Sequence, residues 1–357
     1  MKTLRRYLRS EIIHATALVF VALLMLFAFF DLIDQLKDLG RGAYRMPLIA
    51  AHVLLSIPNH VYEVFPIAAL IGTLFALAQL VASSEYTVMR TAGVSVARLA
   101  ANLVTLGFTF AVVTFVFGEF LGPPAEQLAH RIKSQAVTGI VAQEFRSGLW
   151  LKDDKSFINV VEVATDFSLR GVRIYDFGPD YRLRAISVAR RGHYEKDRYW
   201  RLEDVVRTTF EDSEAKVSRI PELNWHSVLD PSLLTVLLVQ PDQMSAWRLY
   251  SYSQHLKENR QKALRYEIAL WTKLIYPFAV PVMMLLALPF AHFQRRQGGV
   301  GAKLFTGIML GLAFHFTNRL FGHLGLLYDW HPFTSAVMPT VTFLAIALSL
   351  ILAQERR

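Results

Sequence analysis

Six runs of apolar residues, 12–33, 53–82, 97–122, 268–293, 302–326 and 333–353, constrain this chain more than any other feature. Each approaches or exceeds the roughly 20 residues that a helix needs to cross about 30 Å of hydrocarbon. Lipid offers no water to bond backbone amides, so such runs fold as helices. Composition agrees: 53% of the 357 residues are hydrophobic and 19% charged, too apolar for an ordinary soluble domain. The first run follows Lys2, Arg5, Arg6 and Arg9, a basic start like that of a signal peptide. It is too long for one, lacks a small-x-small cleavage site and ends at Asp31 and Asp34, so it reads as an uncleaved first span.

Basic residues at span ends give the orientation. The N-terminal cluster, Arg90 and Arg98 between spans 2 and 3, Arg295, Arg296 and Lys303 between spans 4 and 5, and Arg356 and Arg357 all fall on one side of a six-span topology. That side is expected to be cytoplasmic, with both termini on it. Lys37, Arg41 and Arg45, after span 1, are the exception to the rule.

Between spans 3 and 4 the pattern changes to period two. FINVVEV (157–163), GVRIYDF (171–177), LRAISVA (183–189), YWRLEDVVRTTF (199–210) and ELNWHSV (222–228) read as strands. The turn signals between them are D-D-K, G-P-D, R-R-G and E-D-S. Roughly eight short strands are expected, in a sandwich, jelly roll or open barrel. From Ser245 the period is helical, with Leu249, Tyr252, Leu256 and Leu264 on one face, predicting a helix that leads into span 4. The fold class expected is an α-helical membrane protein with six transmembrane helices and an inserted all-β, jellyroll-like periplasmic domain. The expected divisions are 1–134 for spans 1 to 3, 135–244 for the β domain and 245–357 for the connector helix and spans 4 to 6.

Several function classes drop out. The net charge of +9 is spread over loops and helix ends, without a basic run interleaved with aromatics, so nucleic acid is not indicated. The chain has no Cys, which removes disulfides, thiol catalysis and thiolate metal sites. It has no nucleophile elbow, HExxH or dinucleotide fingerprint. GGVGAK (298–303) lacks phosphate-loop spacing and follows a span instead of a strand. No cofactor is expected, and any ATP used must be bound by another subunit. His315 and His323 read either as ligands or as satisfied polar groups of a helix bundle, the commoner case.

Charges near the outer span ends carry more information. Asp31, Asp34, Lys37 and Arg41 follow span 1; Glu119 and Glu126 flank Pro123-Pro124, with His130, Arg131 and Lys133 just beyond; Arg319 lies in span 5. Charges at membrane depth are costly, so they face protein or a wet cavity. Snorkelling with local ion pairs is one reading, and a ring of cations able to hold phosphates is the other. Phe65 of span 2 and the aromatics of spans 1 and 5 are packing residues or cavity lining. Gly307 and Gly311 form a G-x-x-x-G that permits close helix approach.

The polar stretch VASSEYTVMRTAGVS (81–95) falls between spans 2 and 3. Ser83 or Ser84 can cap a short helix there, with Glu85 in its first turn, Arg90 near its end and Gly93 as its stop. Such a helix is either a plain capped turn or a docking element.

RYL (6–8), DQLKDLG (34–40), FPIAALIG (65–72), SSEYTVMRTAGVS (83–95), GLWLKDDKSF (148–157) and PFAVPVMMLLALPF (277–290) together resemble the LptF/LptG permease family of lipopolysaccharide export. The resemblance covers nearly the whole chain in order, and DQLKDLG and GLWLKDD place it nearer the LptG branch. It implies a permease subunit that pairs with an LptF-like paralogue, two copies of the ATPase LptB, the single-span LptC and periplasmic LptA. It implies a substrate, lipopolysaccharide, taken from the inner membrane and passed to a periplasmic bridge of jellyrolls. It makes 84–93 the coupling helix, with Ser84, Glu85, Arg90 and Gly93 facing the ATPase. Lys37, His130 and Lys133 match residues that contact lipid A phosphates and inner sugars. Asp31 and Asp38 depart from the basic residues that relatives can carry, so Arg41, Arg131 and Arg319 are candidates to rebuild the phosphate contacts, and Phe65 to line the cavity.

Two rivals from other classes stand beside this reading. A membrane-anchored scaffold would bind partners by pairing at a strand edge. An ion-coupled transporter would place charges or broken helices at the midplane, whereas the charges here lie near span ends.

Overall fold

The computed structural model describes residues 2–137, 148–153, 156–164, 168–180, 182–195, 199–211, 214–227, 229, 241, 244–258, 262–293 and 300–355. The chain forms two compact units, one of Met1–Asp34, Val53–Ala129 and Pro241–Arg357, the other of Gln35–His52 and His130–Gln240.

The helices in chain order are α1 (Lys2–Leu36), α2 (Met46–Ala82), α3 (Glu85–Thr91), α4 (Val96–Val116), α5 (Gly122–Ala136), α6 (Ala246–Glu258), α7 (Leu264–Ile275), α8 (Ala279–Phe293), α9 (Val300–Leu327) and α10 (Pro332–Glu355). Among the described residues, five stretches are long and apolar enough to cross a membrane: Thr3–Leu36, Met46–Ala82, Val96–Lys133, Leu264–Phe290 and Pro332–Glu355. The remaining expected span, 302–326, is a continuous 28-residue helix, α9, that is not among these five. His315, Asn318, Arg319 and His323 make its second half the more polar.

Two of the spans are joined from shorter pieces, and proline explains both joints. Phe117–Leu121 winds as a π-turn between α4 and α5. Pro123 has no N–H to return to the carbonyl four residues back, and its ring would strike that carbonyl, so the ladder widens there. Tyr276–Phe278, containing Pro277, is a tighter 3₁₀ turn between α7 and α8.

The spans differ in depth. In α2, 83% of the most apolar stretch is buried, against 17% in α1. The core gathers Leu70, Leu74 and Leu77 of α2, Leu99 and Leu103 of α4, Met283 and Leu286 of α8 and Phe314 of α9. Glycine sets how closely some helices meet. A Cβ on Gly107 would lie 2.5 Å from the Cα of Pro281, so α4 and α8 touch backbone to backbone. The G-x-x-x-G of α9 is used inside the chain: Gly307 lies against Ile71 and Gly311 against Ile67, both on α2.

In the second unit β1 (Leu149–Asp153), β2 (Ser156–Val163), β3 (Leu169–Phe177), β4 (Leu183–Tyr194), β5 (Tyr199–Glu211) and β6 (Glu214–His226) form one antiparallel sheet in the order β1-β2-β3-β4-β5-β6. An all-β domain is therefore present where period two predicted it. The described strands number six, and they meander without a crossover. R-R-G is not a turn: β4 runs straight through Arg190, Arg191 and Gly192. Arg191 pairs with Glu203, and Gly192 sits opposite Leu202, whose side chain a Cβ would meet at 2.9 Å. Cross-strand charge pairing and a close approach, not a chain reversal, explain those residues. Ile158, Val160, Leu169, Val172, Trp200 and Leu202 pack on one face, and Trp200 Nε1 donates to the Leu229 carbonyl at 2.7 Å. The residues of D-D-K after Asp153 and of E-D-S after Glu211 lie outside the described residues, as do 294–299, 356 and 357.

Candidate functional site

The α2–α4 connection is a short helix closed at its end by backbone bonds. Gly93 takes a φ of +84°, the left-handed conformation that glycine adopts without a Cβ clash. Val94 N then donates to Met89 O and Gly93 N to Arg90 O, both at 3.1 Å, which is the Schellman ending. Arg90 Nη1 adds a bond to Val94 O at 3.1 Å. Tyr86 and Met89 are buried in the membrane-helix core, and burial pushes the Tyr86 phenol up. Thr87, Val88 and Thr91 face outward, Val88 with 64% of its surface exposed.

The start of α3 differs from expectation. Ser84 occupies the capping position with φ 64°, and its side chain makes no capping bond. The left-handed backbone turns its hydroxyl away from the helix amides, so Ser84 shapes the turn instead of capping it. Ser83 acts through its side chain, donating to Glu85 Oε1 at 3.2 Å and Leu80 O at 3.3 Å. Tyr7 of α1 donates its hydroxyl to Glu85 Oε2 at 2.9 Å. Glu85 is thus oriented by two neutral donors, which fix its direction without bringing a charge to it.

The α1–α2 connection gathers the opposite charge. Asp38 Oδ1 lies 2.5 Å from Arg41 Nη1, and Asp38 Oδ2 lies 2.8 Å from Lys133 Nζ on α5. The Lys133 ammonium bonded to Asp38, with Arg41 and Lys37 nearby, holds its carboxyl below the usual carboxylate range. The turn beneath is fixed by its backbone. Asp38 N donates to Gln35 O, Arg41 N to Asp38 O, Gly40 N to Tyr44 O, and Ala43 N reaches Ala136 O of α5 at 2.8 Å. Tyr44 is fully buried, its hydroxyl donates to Gln35 Oε1, and burial pushes its phenol up.

Lys37, His130 and Arg131 are exposed, and the His130 ring stands edge-on to His52 of α2 at 6.0 Å. In the helix bundle, Arg319 is exposed one turn beyond His315. Phe65 is only 8% exposed, its ring packed against Phe20 at 4.9 Å and Phe110 at 5.3 Å, so it is part of the core in this arrangement. Asp31, the other departure toward acid, lies with Oδ2 2.5 Å from His60 Nε2 of α2. It bridges two helices of the bundle. Among the described residues no group of His, Asp and Glu is placed to hold a metal ion.

Sequence reasoning passed over one device. Glu119, carried on the π-turn, accepts Ala246 N at 2.7 Å and Trp247 N at 3.2 Å, capping α6 from a different helix. Lys273 of α7, buried, donates to the Met244 carbonyl. Two charged side chains from separate spans therefore grip the backbone where the chain re-enters the bundle. The one available hint was Glu119 beside Pro123-Pro124, because a cap contributed by a distant helix has no local spacing.

Comparison with known proteins matches residues 6–353 to the family model described as the lipopolysaccharide export system permease LptF/LptG. The chain is 31% identical over 354 residues to the lipopolysaccharide export system permease protein LptG of Escherichia coli (strain K12), covering 99% of this chain and 98% of the relative. It is 30% identical over 347 residues to the protein of the same name from Haemophilus influenzae (strain Rd), covering 97% of each. Those matches span the apolar helices and the inserted sheet alike, and the chain belongs to the LptF/LptG family of lipopolysaccharide export permeases.

Proposed function

We propose that this chain is a permease subunit of an ATP-driven exporter that extracts lipopolysaccharide from the inner membrane and passes it to a periplasmic bridge of β domains. The observation that carries the reading is α3: a seven-residue helix anchored by Tyr86 and Met89, ended by Gly93, and presenting a hydroxyl-oriented Glu85. The chain has no phosphate-loop motif of its own, so this helix is the lever through which a partner ATPase moves the spans. In this reading α3 and both termini are cytoplasmic, the β domain of about 135–244 is periplasmic, and 1–134 and 245–357 form the six spans.

The remaining features fit the same cycle. Lys37, Arg41, His130, Arg131 and Lys133, with Arg319, contact the phosphates and inner sugars of the lipid. Edge strand β6, exposed along most of its length, offers backbone groups for pairing with the next β domain of the bridge. The partners are an LptF-like paralogue, two LptB subunits, LptC and LptA, with ATP held by LptB alone.

The test is purification of the full chain in mild detergent with its co-expressed partners, followed by mass spectrometry of subunits and bound lipid. An ATPase, a second permease and a phosphorylated glycolipid are the expected companions. Recovery of periplasmic partners alone, without ATPase or lipid, would replace the transport reading by that of a scaffold.

A further inference from the structure

Asp38 lies between two of the cations proposed to receive lipid phosphate, Arg41 and Lys133. Its carboxylate uses both oxygens, one on Arg41 and one on Lys133, at 2.5 and 2.8 Å. The Asp38 side chain is 19% exposed and Lys133 29%, whereas Arg41 is 57% exposed. The guanidinium therefore keeps an open side toward an incoming anion. The buried Tyr44 and the backbone bonds from Gln35 to Tyr44 fix the turn. Asp38 is thus an anion tethered at its site, with a high effective concentration there.

We infer that Asp38 is a specificity-determining residue, an internal counter-anion that admits phosphate monoesters to Arg41 and Lys133 and turns away phosphodiester headgroups. This rests on the reading of the cluster as a phosphate-contacting set. The argument is a comparison of charges. A phosphodiester headgroup carries one negative charge, no more than the carboxylate already in place, and must also give up its freedom to bind. A phosphate monoester carries about 1.5 to 2 negative charges near neutral pH and three acceptor oxygens. It can satisfy the guanidinium fork and the ammonium together, which a single-charged competitor does less well. In a membrane crowded with phosphodiester lipids, a guard of this kind keeps the cations available to the rarer monoester.

The experiment uses the complete transporter complex in nanodiscs, with photoactivatable diphosphoryl lipid A as probe. The nanodiscs are made of phosphatidylethanolamine with or without phosphatidylglycerol. Wild-type crosslinking is expected to change little when phosphatidylglycerol is added. In Asp38→Asn it should match or exceed wild type without phosphatidylglycerol and fall at least about threefold with it, in keeping with one partly exposed ion pair. Asp38→Glu, which retains the charge, should behave as wild type. Asp38→Asn that stays insensitive to phosphatidylglycerol overturns the inference. So does Asp38→Asn that loses crosslinking without any phosphatidylglycerol, because Asp38 would then be arranging the cations and not guarding them. Failure of the underlying reading shows separately, as absence of crosslinking in the wild-type complex.

Discussion

Glu85 and Asp38 are carboxylates in two short connections between apolar helices, and they are held in opposite ways. Glu85 is bonded by the hydroxyls of Tyr7 and Ser83, which orient it and bring no charge to it. Asp38 is bonded by Lys133 and Arg41, which orient it and cancel its charge. A carboxylate fixed by neutral donors remains able to recruit a cation from a partner, while one fixed by cations can only be exchanged for a stronger anion. Under the proposed function, the difference is that between a docking element and a ligand site, although both read as an acid in a polar loop.

The largest effect is expected where the hydroxyl-bonded carboxylate is reversed in charge. Glu85→Lys should lower copurified ATPase subunit on the order of tenfold to a hundredfold, as loss of a charge-assisted contact implies. Intact ATPase binding and transport in that variant would sink the docking role of α3. Neutralising the other region comes next. Lys37→Gln combined with Lys133→Gln should reduce crosslinking of a phosphorylated glycolipid by roughly tenfold, one partly exposed ion contact being lost at each position. An unchanged yield would remove the cation cluster from the lipid path.

Smaller changes sharpen the contrast. Tyr7→Phe keeps the charge of Glu85 and removes only its orientation, so ATP turnover coupled to transport should fall about two- to fivefold, the scale of one neutral hydrogen bond. A drop as large as that of Glu85→Lys would mean that Tyr7 touches the partner itself. The smallest response is to pH. The Asp38 carboxyl is depressed below its ordinary 3.8, so its stabilising contribution is fully present above that value. It is lost as pH falls through the lower folded-state value. The difference in thermal midpoint between wild type and Asp38→Asn should therefore be constant from about pH 8 to 5 and shrink only below about pH 4. A change near neutrality would show that Asp38 is not bound by cations as described.

Much of the fold was legible because the solvent around it is so restrictive. Runs of apolar residues in lipid have helix as their outcome, and the switch to period two between spans 3 and 4 marked the inserted sheet. Gly93 was legible for a similar reason, since a helix end needs a residue that tolerates positive φ. R-R-G misled because arginines paired across strands and a glycine making room for Leu202 have the composition of a turn. Ser84 misled because the capping residue type was right and the backbone conformation was not. Asp38, Glu119 and Lys273 were unreadable as to role, since their partners lie up to 128 residues away in sequence.

The sequence by itself determined the apolar helices, the inserted sheet and the short polar helix α3, because hydrophobic length and periodicity act locally and the backbone must be satisfied wherever it lies. Tertiary structure alone decided which carboxylate meets cations and which meets neutral donors. That depends on the donor brought to each carboxylate, a hydroxyl from α1 for Glu85 and an ammonium from α5 for Asp38, and the donors are placed by helix packing.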